Sequence, residues 1–301
     1  MSKKLVSLFL AVLMLMCIPA ALAENSSVTV TDMFDREVTI SGPVNRILVL
    51  EPAECEIVCA LGGEALLVGR GAFCDYPASV LALPALQSGS LTNIEEVLAL
   101  QPDLVIMNGM DHPKEQVDQL ESNGIQVIST YAANIEETYE CIRLIGAAIG
   151  KQTEAEALVA DMQATFADIR AKSPQTGKTV YFEISPLQWG LWAAGKNTFM
   201  DEIAAICGLN NIFADVDGWG AVSEEQVLAR DPDYIVTITM YYGEGPTPVE
   251  EIMARESWQT LKAVANGQVF NANSDTISRP GPRLKDAAQE LFGFLNGTAA
   301  E

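Results

Sequence analysis

In the first half of the chain, apolar residues fall in short unbroken runs. Between these runs lie stretches whose apolar positions recur every three or four residues. RILVL (46–50), ALLVG (65–69), DLVIM (103–107) and QVIST (126–130) are the runs, and they predict strands covered on both faces. Helical spacing fills 54–61, the stretch from Asn93 to Leu100, and 113–123, which stops at Asn123-Gly124. This order of strand and helix predicts a parallel sheet flanked by helices. From Ile135 to about Lys172 the strand signal is gone, and helical sequence runs on with a break near Gly150. TEAEALVADMQATFADIRAK (153–172) has apolar residues at 158, 159, 162, 166 and 169, and Ser173-Pro174 ends it. Twenty helical residues reach about 30 Å. Alternation then resumes with TVYFEI (179–184), a helix over 199–207, DYIVTITM (233–240), a short helix near 249–254, QVFNA (268–272) and a closing helix over 284–296. The predicted fold class is α/β: two Rossmann-like lobes, each a parallel sheet flanked by helices, joined by one long helix. The boundaries fall at 24–150 for the first lobe, 151–174 for the joining helix and 175–301 for the second lobe.

One stretch is written twice. NIEEVLALQPDLVI (93–106) and SEEQVLARDPDYIV (223–236), 130 residues apart, share Glu, Val, Leu, Ala, Pro and Asp in register. Asn93 and Ser223 are good N-caps, and Glu96 and Gln226 three residues on predict a capping box in each copy. Pro102 and Pro232 end the helices. That grammar leaves Glu95 and Glu225 unexplained. A carboxylate in a first helical turn complements the helix dipole, for about 0.3–1 kcal/mol. Two at matched places in matched lobes would also form a spaced pair of anionic points, suited to arginines on a larger partner.

The first 23 residues read as an export signal, with Lys3 and Lys4, an apolar run from Leu5 to Ile18, and Ala21-Leu22-Ala23 as cleavage site. The run is shorter than the ~20 residues of an ordinary membrane span. Cleavage after Ala23 makes the protein extracytoplasmic: secreted, periplasmic or cell-surface. The alternative is lipid attachment at Cys17, which Met16 opposes where a small residue normally stands. Losing the two lysines takes the formal net charge from −22 to −24. So acidic a surface excludes nucleic acid as a partner, because phosphate binding needs Lys and Arg. Five cysteines remain, an odd number. Cys55 and Cys59, one helical turn apart, are expected as small buried side chains rather than a disulfide.

The exported chain, its two α/β lobes, the segments LTNIEEVLALQPDLVI and AVSEEQVLARDPDYIV, the CDYP turn (74–77) and the closing RPGPRL (279–284) carry a resemblance. Together they resemble the solute-binding proteins of ABC importers for iron–siderophore complexes, haem and cobalamin, and most of all the cobalamin-binding members. The resemblance runs from about Val28 to the last helix. It implies that Glu95 and Glu225 pair with arginines of the membrane permease, and that the single helix between the lobes allows only small closure.

Ligands of open α/β sheets bind beyond the carboxyl ends of the strands. That rule makes candidates of Arg70, Phe73 and Tyr76 after the 65–69 strand, Trp189 and Trp192 after 179–184, Trp219 before the second repeat, Tyr241 and Tyr242 after 233–240, and Asp275, Arg279 and Arg283 in SDTISRPGPR. The resemblance places Phe73 and Trp219 where the cobalamin binder has aromatics facing its ligand, and it matches the Asp275–Arg279 spacing. Tyr76 reads as structural as readily as ligand-facing, Trp189 and Trp192 as packing, and Arg283 as a buttress for the last helix. Aromatic walls with a few polar anchors suit a bulky metal chelate.

His112 is the only histidine; it reads either as an axial ligand, with Met110 nearby, or as an exposed loop residue. One histidine cannot build the multi-ligand site of a bare zinc or manganese carrier. An enzyme would need a nucleophile with a base, and no serine stands in a G-x-S-x-G setting. The sequence therefore predicts a monomeric binding protein with no catalytic residues, no resident metal and no cofactor. It would take an iron–siderophore complex or a corrinoid ahead of haem and deliver it to a permease. The alternatives are an extracellular enzyme and a haem-scavenging surface protein without a transporter.

Overall fold

A computed structural model describes residues 27–109 and 112–298. The export segment with Cys17, and Met110, lie outside the described residues. The described residues open on an antiparallel hairpin that the sequence reading lacks, β1 (Val28–Thr31) and β2 (Glu37–Ile40). Asp32 at its turn accepts from the backbone N–H groups of Phe34, Arg36 and Ser129, which fastens the hairpin to the first sheet. That sheet is built from β3 (Ile47–Val49), α1 (Pro52–Ala60), β4 (Leu67–Gly71), β5 (Ala85–Leu86), α2 (Ile94–Ala99), β6 (Leu104–Asn108), α3 (Lys114–Ser122) and β7 (Gln126–Thr130). Its order is β5-β4-β3-β6-β7, parallel throughout. β4 starts two residues later than the ALLVG run, because 64–66 form a 3-10 turn.

The helices α4 (Ile135–Ala148) and α5 (Gln152–Lys172) follow. They meet at a tight elbow, where a Cβ on Gly146 would lie 2.5 Å from the Ala155 Cβ. α5 buries Ala155, Val159, Met162, Phe166 and Ile169, a stripe at helical period. These side chains join a core that includes Ile57 and Ile106 of the first lobe and Phe182 and Val236 of the second. Each fully buried aliphatic or Phe contributes about 1.5–3 kcal/mol. The long helix is therefore packed against both lobes along its length.

The second sheet comprises β8 (Thr179–Ser185), β9 (Trp192–Ala194), α6 (Phe199–Ile206), β10 (Asn210–Asn211), β11 (Trp219–Ala221), α7 (Glu224–Arg230), β12 (Tyr234–Thr237), α8 (Pro248–Ala254), α9 (Lys262–Ala265) and β13 (Val269–Asn271). Two more helices, α10 (Ser274–Ile277) and α11 (Leu284–Leu295), close the chain. The strand order is β11-β9-β8-β12-β13, with β10 also beside β8. The expectation of a wholly parallel sheet is corrected here, since β9 runs antiparallel to β8 and β11 antiparallel to β9. The chain turns back at Gly190 (φ 88°) straight after β8, with no crossover helix that would restore the direction.

The repeated segment is repeated in space as well. The eight residues 93–100 and 223–230 have the same order of exposed, half-buried and buried positions. Gln101 (φ 47°) and Asp231 (φ 43°) both turn left-handed after the helix. Asp103 then accepts from the N–H groups of Asn45 and Arg46 just before β3, and Asp233 from that of Thr179 at the start of β8. The caps differ. Ser223 and Gln226 form the full reciprocal box. Asn93 instead accepts from the Glu95 N–H, and Glu96 takes the Asn93 side-chain N–H, so the first box is corrected to a simpler cap.

Candidate functional site

The carboxyl ends of β3, β4, β6 and β7 face those of β8, β12 and β13 across the gap between the lobes. Contacts across that gap fix which loops meet. The Phe199 N–H donates to the Ala133 carbonyl at 2.9 Å, and the Ile135 N–H to Glu202 Oε2 at 2.6 Å. Burial pushes the Glu202 carboxyl above its ordinary pKa. Arg279, after β13, bonds to Asp75 and Glu56 after β4 and β3. Large apolar side chains stand exposed after β4 (Phe73, Tyr76), after β8 (Trp189, and Trp192 at the start of β9) and after β12 (Met240, Tyr241, Tyr242), with Phe73 at 70% and Trp189 at 78%, and also at Phe34, Leu81 and Leu91. Below the 238–247 loop lies a cavity of about 400 Å³, lined by Glu183, Gln188, Met240, Tyr241, Tyr242 and Glu251 among others.

The predicted residues divide into two groups. Phe73, Trp189, Tyr241 and Tyr76 are exposed to solvent, and Tyr76 lines a cavity with Leu158 of α5 and Arg283. Trp219 is partly buried, its ring 5.3 Å from that of Phe199 at the start of α6, beside the Ala133 contact. Arg70 is a correction. It is buried, and its guanidinium donates to the carbonyls of Val80, Gly71, Ala72 and Cys74, so it holds the 71–83 loop in place. The same loop depends on Gly71, where a Cβ would meet the Leu50 carbonyl at 1.9 Å.

Asp275, Arg279 and Arg283 enter one ion cluster. Arg279 bonds to Glu56 (3.0 Å), Asp75 (2.7 Å) and Asp275 (2.8 Å). Arg283 donates through Nε (2.8 Å) and Nη2 (2.5 Å) to Glu56 and stacks 4.2 Å over the Tyr76 ring. The hydrogen bond from Arg279 holds the Asp75 carboxyl below the usual carboxylate range. Neither arginine is therefore an idle anchor waiting for a ligand. Beside the cavity a second pair is buried, Arg255 on Glu183 at 2.6 and 3.1 Å, with Glu251 completing it. Burial raises the Glu183 pKa, and the guanidinium opposes the rise.

His112 is not exposed. Its Nδ1 lies 2.9 Å from the Asn108 carbonyl, and its Nε2 accepts from the Gly89 N–H at 3.0 Å. That pattern defines a tautomer protonated at Nδ1 and leaves no lone pair aimed at the gap. The described cysteines are all free thiols, Cys55, Cys74, Cys141 and Cys207 buried and Cys59 half-buried. Among the described residues no group of His, Cys, Asp and Glu could hold a metal ion, and no helix is long and apolar enough to cross a membrane.

Glu95 and Glu225 are both exposed at the second position of their helices. A helix that precedes a parallel strand runs against it, so the N-termini of α2 and α7 both sit at the carboxyl-end rim of their sheets. Neither carboxylate makes an ion pair among the described residues. The helix N-terminal N–H and the Ser223 hydroxyl hold the Glu225 carboxyl below its ordinary pKa. Its neighbour Glu224 turns inward, accepting from Trp258 Nε1 at 2.9 Å and from Ser257.

Sequence reasoning missed Phe34, whose ring covers Gly109 beyond β6, and the partners Glu56, Asp75, Glu183 and Arg255. A glutamate inside an apolar helix, CEIVC, was the available signal for Glu56.

Comparison with known proteins gives one answer. Residues 47–276 match the family described as periplasmic binding protein. An uncharacterized ABC transporter substrate-binding lipoprotein of Bacillus subtilis, YvrC, is 32% identical over 271 residues, covering 88% of this chain and 84% of its own. The periplasmic vitamin B12 binding protein BtuF of Vibrio cholerae superposes with a TM-score of 0.70 at 27% identity, over 85% of this chain and 98% of its own. A possible iron-binding periplasmic solute-binding protein of Staphylococcus epidermidis does so with 0.74 at 27% identity, over 84% and 98%.

Proposed function

The chain belongs to the periplasmic binding protein family, and from that premise we propose that it captures a metal chelate between its lobes and hands it to an ABC permease. What supports this reading is that exposed aromatic side chains follow the carboxyl ends of strands in both lobes. Phe73 and Tyr76 belong to the first lobe, and Trp189, Trp192, Tyr241 and Tyr242 to the second. Flat aromatic faces suit a large, partly apolar, rigid chelate. Similarity to a B12 binder and to a possible iron-binding protein supports a corrinoid or an iron–siderophore complex. Haem ranks lower because both His112 nitrogens already have partners. The lobes are residues 24–150 and 175–301, with 151–174 between them, and the carrier works outside the cytoplasm as a monomer without catalysis.

Delivery rests on Glu95 and Glu225, which take permease arginines while the rest of each helix stays packed. Replacing both by Ala should leave chelate affinity intact and abolish stimulation of the permease ATPase. Stimulation unchanged by the double substitution would remove the docking assignment. Visible absorption after mixing with cyanocobalamin, ferric trihydroxamates and haemin tests the chelate class.

A further inference from the structure

The turn between β1 and β2 is fastened to the first sheet by more bonds than its own closure requires. Within the turn, the buried Asp32 carboxylate accepts from the Phe34 N–H at 3.0 Å and from the Arg36 guanidinium at 2.7 and 2.9 Å. Beyond it, Asp32 also takes the Ser129 N–H, and the Met33 N–H donates to the Ser129 carbonyl. Arg36 donates further to the Val127 carbonyl and to Glu121. The turn is thereby pinned beside the carboxyl end of β7. What this frame presents is one large apolar side chain. Phe34 is 45% exposed, and its ring lies so close over Gly109, the first residue after β6, that a Cβ there would come within 2.1 Å of it. Gly109 in turn donates to the Thr130 carbonyl at the end of β7. The ring is therefore fixed at the rim from which Ala133 and Ile135 reach the second lobe. Met33 beside it packs against the core, whereas Phe34 joins no core cluster among the described residues.

We propose that Phe34 contacts the ligand, so that the opening hairpin gives the first lobe a second aromatic wall besides Phe73. The proposal rests on the chelate reading above and adds a size to it. Phe73 stands two residues beyond β4, Phe34 covers the residue beyond β6, and β3 lies between those strands. Neighbouring strands are about 4.8 Å apart, so two steps set the walls on the order of 10 Å from each other. A solute that touches both must span that width. A corrin-sized macrocycle or a bulky iron chelate does so, and a bare ion or a single amino acid does not. The clamped turn also matters to the energetics. A ring already held in place loses little freedom when a ligand arrives, so more of its contact energy appears as affinity.

The test uses the full mature chain, calorimetry and visible absorption, with cyanocobalamin, an iron(III) trihydroxamate and haemin as probes. Phe34→Ala should weaken the tightest-binding probe by at least ~5-fold, as loss of an aromatic anchor does. Phe34→Leu keeps an apolar cover over Gly109 and removes the flat face, so Tm should stay near that of the parent chain while affinity still falls. Phe34→Tyr, which restores the ring, should recover most of the loss. If the alanine variant does not fold, the leucine and tyrosine variants decide. A leucine variant that binds as tightly as the parent overturns the assignment and leaves chelate capture standing, because the ring is then only a lid on the Gly109 backbone. A parent chain that binds none of the probes overturns the chelate reading and the role of Phe34 with it.

Discussion

Glu56→Gln is the substitution that reads the interlobe ion cluster most directly. The Glu56 side chain is 2% exposed and accepts from Arg279 at 3.0 Å and from Arg283 at 2.8 and 2.5 Å. Each hydrogen bond to a charged group nets about 1.5–3 kcal/mol. Glutamine keeps the volume but loses the charge and one acceptor, and its amide would point N–H groups at a guanidinium. Removing one member of a buried pair costs about 3–5 kcal/mol. The arginine side chains are 13% and 15% exposed, and Arg279 keeps Asp75 and Asp275, so the loss should lie near the lower end, about 3 kcal/mol. For a chain of this size that is roughly 6–10 °C in Tm. Urea and thermal unfolding of Glu56→Gln, Arg283→Met and the double variant form the assay. The cycle should give a coupling above about 1.5 kcal/mol. A coupling below about 0.5 kcal/mol would mean that the cluster seen across the gap does not hold the lobes, and the reasoning fails.

Trp219→Ala should weaken chelate binding by more than about 1 kcal/mol, as loss of an aromatic anchor does, and calorimetry showing no loss would take Trp219 out of the gap surface. Stability should also respond to pH in a set direction. Burial raises the carboxyl pKa values of Glu202, Asp286 and Glu290 in the folded chain. A carboxyl whose folded pKa lies above its unfolded value makes the native state the better proton binder, so stability falls as pH rises through that window. Asp75 and Glu250 are shifted the other way by their hydrogen bonds, and their contribution is lost only as pH drops below the ordinary carboxylate range. The raised carboxyls should therefore lift Tm as pH falls toward the ordinary carboxylate range, and the lowered ones should bring it down once pH passes below that range; a Tm that drops steadily all the way from neutral pH downward would contradict this.

The alternation of buried runs and amphipathic stretches was enough to place β6, β7, α5 and the two capped helices. Strands hidden on both faces and helices with one apolar stripe leave different periods in the residue order. The hairpin 28–40 and the short strands β9 and β11 were not legible. Three or four residues carry too little period, and whether a strand returns antiparallel depends on a turn such as Gly190. At the site, the exposure of Phe73, Trp189 and Tyr241 could be expected because each stands on a loop after a strand. Arg70, Arg279, Arg283 and His112 could not be assigned, because a charged or polar side chain reveals nothing of its partner until the fold brings that partner near. Glu56 lies more than 220 positions from the arginines it holds. Aligning the two repeat copies did separate Glu225 from Glu224, since the matched register puts only one of them outward.

The two halves are strapped by a single rod, and that rod is packed along its length. If Glu95 and Glu225 are its two feet, their separation is nearly the same with the gap full or empty. A membrane partner that felt only the distance between them could not distinguish a laden shuttle from a vacant one. The vacant form would then occupy the landing pad as readily, and news of the load would have to travel through the mouth between the feet.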